Sequence, residues 1–170
     1  MTAEGKRTLI LLRHAKSDWT EDVPDHDRPL AKRGRHDAPQ VGRWLRGHGY
    51  LPDTVVCSTA QRTRQTWELV AAKLRAADPA VTFEPRAYGA TPHTLLYLLR
   101  ELQPATRTAL LVGHNPGISE LASALAEAPL SFPTAAVAVL EFDGDWSDLE
   151  PGRAELVNFV IPADLHQDKL

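Results

Sequence analysis

Leu110-Leu111-Val112-Gly113-His114-Asn115-Pro116-Gly117-Ile118 is the stretch on which the fold turns. Three apolar residues without alternation fit a strand covered on both faces of a parallel sheet. The period then changes, because Ile118, Leu121, Ala122 and Leu125 share one helical face. The same unit of strand, short turn and amphipathic helix recurs twice upstream. Leu9-Ile10-Leu11-Leu12 leads to Arg13-His14 and, after a loop, to a face of Ala38, Val41 and Leu45. Val55-Val56-Cys57 leads through Ser58-Thr59-Ala60-Gln61-Arg62 to a face of Thr63, Trp67, Val70 and Leu74. Another face, Leu95, Leu98, Leu99 and Leu102, precedes the third strand. Val137-x-Val139-x-Glu141 and Ala154-x-Leu156-x-Asn158 alternate around Asp143-Gly144-Asp145 and predict a late antiparallel pair. The expected fold class is α/β, a three-layer α/β/α sandwich with a mostly parallel central sheet.

The 170 residues, 43 % apolar and 24 % charged, suit a single domain over 1–170 and exclude collagen-like or wholly disordered chains. One Cys rules out a disulfide framework and any CxxC pair. Leu9 to Leu12 is too short for a signal peptide's apolar region or a membrane span, so a cytoplasmic protein with no membrane partner is expected. Residues 1–75 hold 14 basic and 9 acidic side chains, whereas 76–170 hold 5 and 13. Basic residues scattered among acidic ones, with 6 % aromatics, do not make a nucleic-acid surface. They do allow a local anion pocket in the first half. Ser17 to Pro29, reading SDWTEDVPDHDRP, shows neither period and is expected to be a loop serving a site. The polar tail, 163–170, is expected to fray.

Ligands of open α/β sheets sit beyond the carboxyl ends of the parallel strands. The residues there are Arg13-His14, Ser58 to Arg62, and Gly113 to Gly117, so two Arg and two His would meet. Ser58 with Gln61 fits a capping box, and Asn115 before Pro116 fits an N-cap followed by the first helical residue. Both helix starts favour an anion. Arg13 and Arg62 match the two-pronged geometry of phosphate oxygens. Beside fixed Arg charges His14 is expected to be neutral at pH 7 and to act as a nucleophile, its other ring nitrogen donating to a backbone carbonyl. His114 would donate to the phosphoryl oxygens. Phosphoryl transfer asks mainly for placement and charge stabilisation, so neither a metal nor a cofactor is expected.

These residues resemble the histidine phosphatase superfamily, the phosphoglycerate mutase-like fold. The resemblance rests on Leu11 to Ser17, on Ser58-x-x-x-Arg62 with Arg64-Gln65-Thr66, and on Val112 to Pro116, and it runs from about residue 8 to 126. The RHAKS form and the run Asp25 to Leu30 followed by Lys32 to Gly34 are similar to SixA-like phosphohistidine phosphatases. The resemblance implies that His14 is phosphorylated and that Arg13, Arg62 and His114 form the phosphate pocket. It also implies a phosphorylated substrate, with phosphohistidine on a protein as the first choice. The pattern departs at the proton donor. No acid stands out in the loop Pro85 to Gly89, leaving Glu84 and Asp18 as candidates, or neither, since a leaving imidazole is less basic than an alkoxide.

Other readings stay open on the sequence. A small-molecule or nucleotide phosphohydrolase would use the same residues, and a non-catalytic module would bind phosphate without turnover. A Cys-based phosphatase would need five residues between Cys and Arg, where Cys57 and Arg62 have four. A metallophosphatase could draw on Asp18, Asp22, Asp25, Asp27 and His26, which together with Glu21 read more simply as a solvated face. His26, His36, His48, His93 and His166 read as surface residues and Trp67 as core, while Trp19 is undecided.

Overall fold

The structure is a computed structural model that describes residues 5–76 and 78–167. Its strands are β1 (Lys6–Arg13), β2 (Thr54–Ser58), β3 (Ala80–Glu84), β4 (Thr108–Gly113), β5 (Val137–Asp143) and β6 (Glu155–Val160). Its helices are α1 (Lys32–Gly47), α2 (Gln61–Leu74), α3 (Pro92–Arg100), α4 (Gly117–Ala126) and α5 (Pro162–Gln167). They build one six-stranded sheet in the order β3-β2-β4-β1-β5-β6. The first four strands in that order run parallel. β5 runs antiparallel to β1 and β6 antiparallel to β5, which is the late pair that the alternation predicts.

The pleat of β1 divides its side chains between two cores. Leu9 and Leu11 pack with Leu95, Leu99, Ile118 and Leu121 of α3 and α4. Ile10 and Leu12 pack with Val41, Leu45, Val70 and Leu74 of α1 and α2. Both faces of the central strands are therefore dry, which explains why their sequences show no polar alternation. Each fully buried aliphatic side chain contributes about 1.5–3 kcal/mol of transfer free energy.

The tail differs from expectation. Pro162 to Gln167 form α5, and Leu165 is buried in the α1-side core beside Val160. Leu165, in a mainly polar stretch, found a site that the composition concealed. Residues 168–170, the rest of that tail, lie outside the described residues.

Two glycines bring helices close to other backbone. A Cβ on Gly42 would stand 2.4 Å from the Val70 carbonyl oxygen, so this residue sets the approach of α1 to α2. A Cβ on Gly34 would stand 2.2 Å from the Lys16 carbonyl oxygen, two residues past His14. That oxygen accepts from the Ala31 N–H at 2.9 Å, so the start of α1 is laid directly against the segment leaving β1. Gly34→Ala is expected to cost about 1–3 kcal/mol, because backbone must shift to admit the methyl group. Gly47→Ala provides the control, since a Cβ there meets nothing within 4 Å. Equal melting temperatures for the two variants would contradict the close approach.

Candidate active site

Strand register brings the functional side chains together. Leu12 pairs with Val112 and Arg13 with Gly113 between β1 and β4, while Cys57 pairs with Val112 between β2 and β4. The residues that follow these three adjacent strands therefore emerge side by side. The His14 N–H donates to the Gly113 carbonyl at 3.1 Å, and the His14 and His114 rings lie 5.3 Å apart at a tilt of 57°. Arg13, His14, Arg62 and His114 all line one cavity of about 200 Å³ with Lys16, Ser17, Trp19, Arg28, Asn115 and Thr134.

His14 is buried, and its Nδ1 lies 2.7 Å from the Ala15 carbonyl oxygen. A carbonyl only accepts, so Nδ1 carries the proton and Nε2 keeps its lone pair. Burial, with His114, Arg62 and Arg13 adding to it, pushes the imidazole down to about 3, against the opposing pull of the Ala15 bond. Burial and Arg62 likewise push His114 down to about 4. His114 Nε2 lies 2.7 Å from Ser58 Oγ.

Among the described residues, Arg13 Nε, Arg62 Nε and His114 Nδ1 are buried without a hydrogen-bond partner. All three belong to residues of the one pocket. The rest of each guanidinium is anchored. Arg13 Nη1 donates to the Phe132 carbonyl at 2.9 Å, and Arg62 Nη1 and Nη2 donate to Asp25 O and Oδ2 at 2.7 and 3.1 Å. A buried donor left unpaired costs roughly 1–3 kcal/mol.

A sequence model of the histidine phosphatase superfamily (branch 1) matches residues 9–86. An uncharacterised protein of Mycobacterium tuberculosis is 40 % identical over 162 residues, which covers 89 % of this chain and 99 % of that protein. The chain belongs to the histidine phosphatase superfamily. Within the superfamily it is SixA-like. A Nakamurella multipartitia structure designated as a SixA phosphohistidine phosphatase is 36 % identical with TM-score 0.80, covering 93 % of this chain and 97 % of its own. An Agrobacterium tumefaciens structure of the same designation is 29 % identical with TM-score 0.79, covering 92 % and 98 %. The protein histidine phosphatase SixA complexed with tungstate, 22 % identical over 93 % of this chain and 99 % of its own, shares the fold at TM-score 0.81. The superfamily match, together with the likeness to the SixA phosphohistidine phosphatase structures, makes the chain a phosphatase.

Several local details of this site differ from expectation or add to it. Ser58 forms no capping box: Ala60 is the N-cap of α2 and makes no side-chain bond, while the Ser58 hydroxyl faces His114. Asn115 is not an N-cap either, since α4 starts at Gly117 after Pro116, and Asn115 Nδ2 donates to the Phe132 carbonyl at 2.9 Å. His26 is half-exposed yet belongs to the site's edge, with Nε2 2.8 Å from Thr59 Oγ1 and its ring 4.7 Å from that of Tyr88. Asp25, read as part of a solvated acidic face, is bound to Arg62, Arg28 and Tyr88. Trp19 lines the mouth of the pocket, its ring 3.5 Å from the Arg28 guanidinium.

Neither candidate acid reaches the chemistry. Asp18 is spent on the Thr20 hydroxyl and N–H, and Glu84 on Arg86, and these bonds hold both carboxyls below their ordinary range. Both stay ionised at neutral pH, and neither lines the pocket. Cys57 lies outside the pocket as well, with burial pushing its thiol up to about 12. Among the described residues, no group of three or more His, Cys, Asp or Glu is arranged to hold a metal ion. No described helix is long and apolar enough to cross a membrane.

The depressed imidazoles make stability depend on pH. Unfolded His titrates near 6.5, whereas His14 and His114 stay neutral down to about 3 and 4. Between those values the unfolded chain binds more protons, so stability rises with pH and is lost as pH falls below about 6.5. The melting temperature is expected to be lower at pH 5 than at pH 7, and the difference to shrink when both His are replaced by Gln. An undiminished difference in that double variant would place its source elsewhere.

Proposed function

We propose that the chain is a metal-independent phosphatase that passes a phosphoryl group to His14 Nε2 and then to water, and that it acts on phosphohistidine in a protein. The observation that carries this reading is a neutral imidazole with a free lone pair in a pocket lined also by Arg13, Arg62 and His114. In the first step the His14 Nε2–P bond forms as the P–N bond of the substrate breaks, and the substrate imidazole leaves. In the second, water attacks phosphorus, releasing inorganic phosphate and returning neutral His14. Arg13, Arg62 and His114 carry the charge that develops on the oxygens.

Two features favour phosphohistidine on a protein. No candidate carboxylate is placed to protonate a leaving alkoxide, and a leaving imidazole asks less of an acid. Trp19 is 71 % exposed at the pocket mouth, held out by Arg28, and such aromatics suit contact with a polypeptide. The SixA designation of the similar structures agrees with this reading.

Phosphate release from a phosphohistidine-bearing protein, compared with p-nitrophenyl phosphate and nucleoside monophosphates, tests the proposal. The phosphoprotein is expected to give the highest kcat/KM. Turnover confined to the small esters would make the chain a small-molecule or nucleotide phosphohydrolase. Phosphate binding without release from any substrate would make it a binding module.

A further inference from the structure

Arg62 enters the pocket from the first turn of α2 with both terminal nitrogens already engaged by Asp25. A guanidinium carries five N–H donors in a rigid fork. Fixing the Nη side therefore fixes where the Nε edge points. Asp25 is itself fixed from two further directions. Its Oδ2 accepts the Tyr88 hydroxyl at 2.5 Å, and its Oδ1 accepts Arg28 Nε at 3.2 Å. Arg28 Nη2 lies 3.1 Å from the same Oδ1, and Arg28 Nη1 donates to Ser17 Oγ at 2.5 Å. The Tyr88 ring meets His114 edge-on at 5.5 Å, so the contacts close back on the pocket.

We infer that Asp25 is a positioning residue, whose carboxylate and backbone oxygen fix the Arg62 guanidinium at the pocket wall while Tyr88 holds the carboxylate. This rests on the phosphatase reading of Arg62. Without Asp25 the long Arg62 side chain would stand beside Arg13 with no countercharge, and the repulsion that Arg62 exerts on Arg13 would favour its swinging away. The Tyr88 bond, with those of Arg62 and Arg28, holds the Asp25 carboxyl well below the usual range. It therefore stays charged throughout the working pH range, and it has no proton to give a leaving group. The loop 17–29 thus serves the site through Ser17, Trp19, Asp25 and Arg28, while most of its other residues stay exposed.

A double-mutant cycle in the full chain tests the inference. Asp25→Asn and Tyr88→Phe are made alone and in an Arg62→Ala background. kcat and KM are measured with a phosphohistidine protein, and tungstate affinity by calorimetry. Asp25→Asn is expected to lower kcat/KM by roughly 10- to 100-fold, the scale of a misplaced transition-state contact, and Tyr88→Phe by about threefold. In the Arg62→Ala background neither is expected to cost more than about twofold, because a residue acting through Arg62 has nothing left to act on. Equal losses with and without Arg62 would overturn the inference. If Asp25→Asn fails to fold, the Tyr88→Phe cycle alone decides. If the wild type shows no turnover, the phosphatase reading fails, and the tungstate cycle still decides the role of Asp25: coupling to Arg62 supports it and additivity overturns it.

Discussion

Rapid quench of the His14→Ala variant with a labelled phosphoprotein is expected to trap no acid-labile phosphate, whereas the wild type accumulates it. Turnover is expected to fall by roughly 10⁴-fold or more, the scale seen when an attacking group is deleted. Neither the other pocket imidazole nor the thiol is placed to take over from His14. His114 is tied through Nε2 to Ser58 Oγ, while the Cys57 thiol is protonated and outside the pocket. His14 alone combines a lone pair set free by the Ala15 bond with a pKa low enough to keep the ring neutral. His114→Ala is the informative companion, because a residue that only donates hydrogen bonds should slow label formation without abolishing it. Label persisting on the His14→Ala protein would remove His14 as nucleophile.

The convergence of Arg13, His14, Arg62 and His114 was legible in the sequence for a physical reason. Strands buried on both faces have no polar alternation, so the first polar residues after each apolar run mark the carboxyl edge of a parallel sheet. The register of β1, β4 and β2 then sets those edges level. The tautomer of His14 was also readable, since a buried imidazole needs a partner and the nearest carbonyl supplies one.

What the sequence concealed depends on partners far along the chain. Ser58 and Asn115 satisfy local capping rules, but His114, 56 residues away, and the Phe132 carbonyl, 17 residues away, offered those side chains buried partners. The same carbonyl anchors Arg13, and a backbone oxygen leaves no mark in composition. Asp25 was indistinguishable from its acidic neighbours because the groups that single it out, Arg62 and Tyr88, lie 37 and 63 residues later. His26 was hidden in the same way behind Thr59 and Tyr88. A proton donor was sought among carboxylates, and both candidates proved to be satisfied by residues two positions away.

Arg62→Ala is expected to slow turnover by roughly 10²-fold or more, as loss of one preorganised transition-state donor typically does. Its guanidinium stands at the pocket wall, and the Asp25 bonds hold it there before substrate arrives. No reorganisation is then needed when charge moves onto the phosphoryl oxygens, which is why the loss should appear in kcat as well as in KM. Arg62→Lys separates charge from geometry. A lysine ammonium restores the positive charge but lacks the planar fork whose separated nitrogens meet the two Asp25 oxygens at fixed positions. It should therefore recover only a small part of the activity. Removing the cation also removes one of the causes that depress His14 and His114, so both imidazoles should titrate higher in Arg62→Ala than in the wild type. Imidazole NMR titrations read that shift independently of turnover. A turnover change below about twofold, with unmoved imidazole titrations, would mean that the guanidinium serves only to tie α2 to the Asp25 segment.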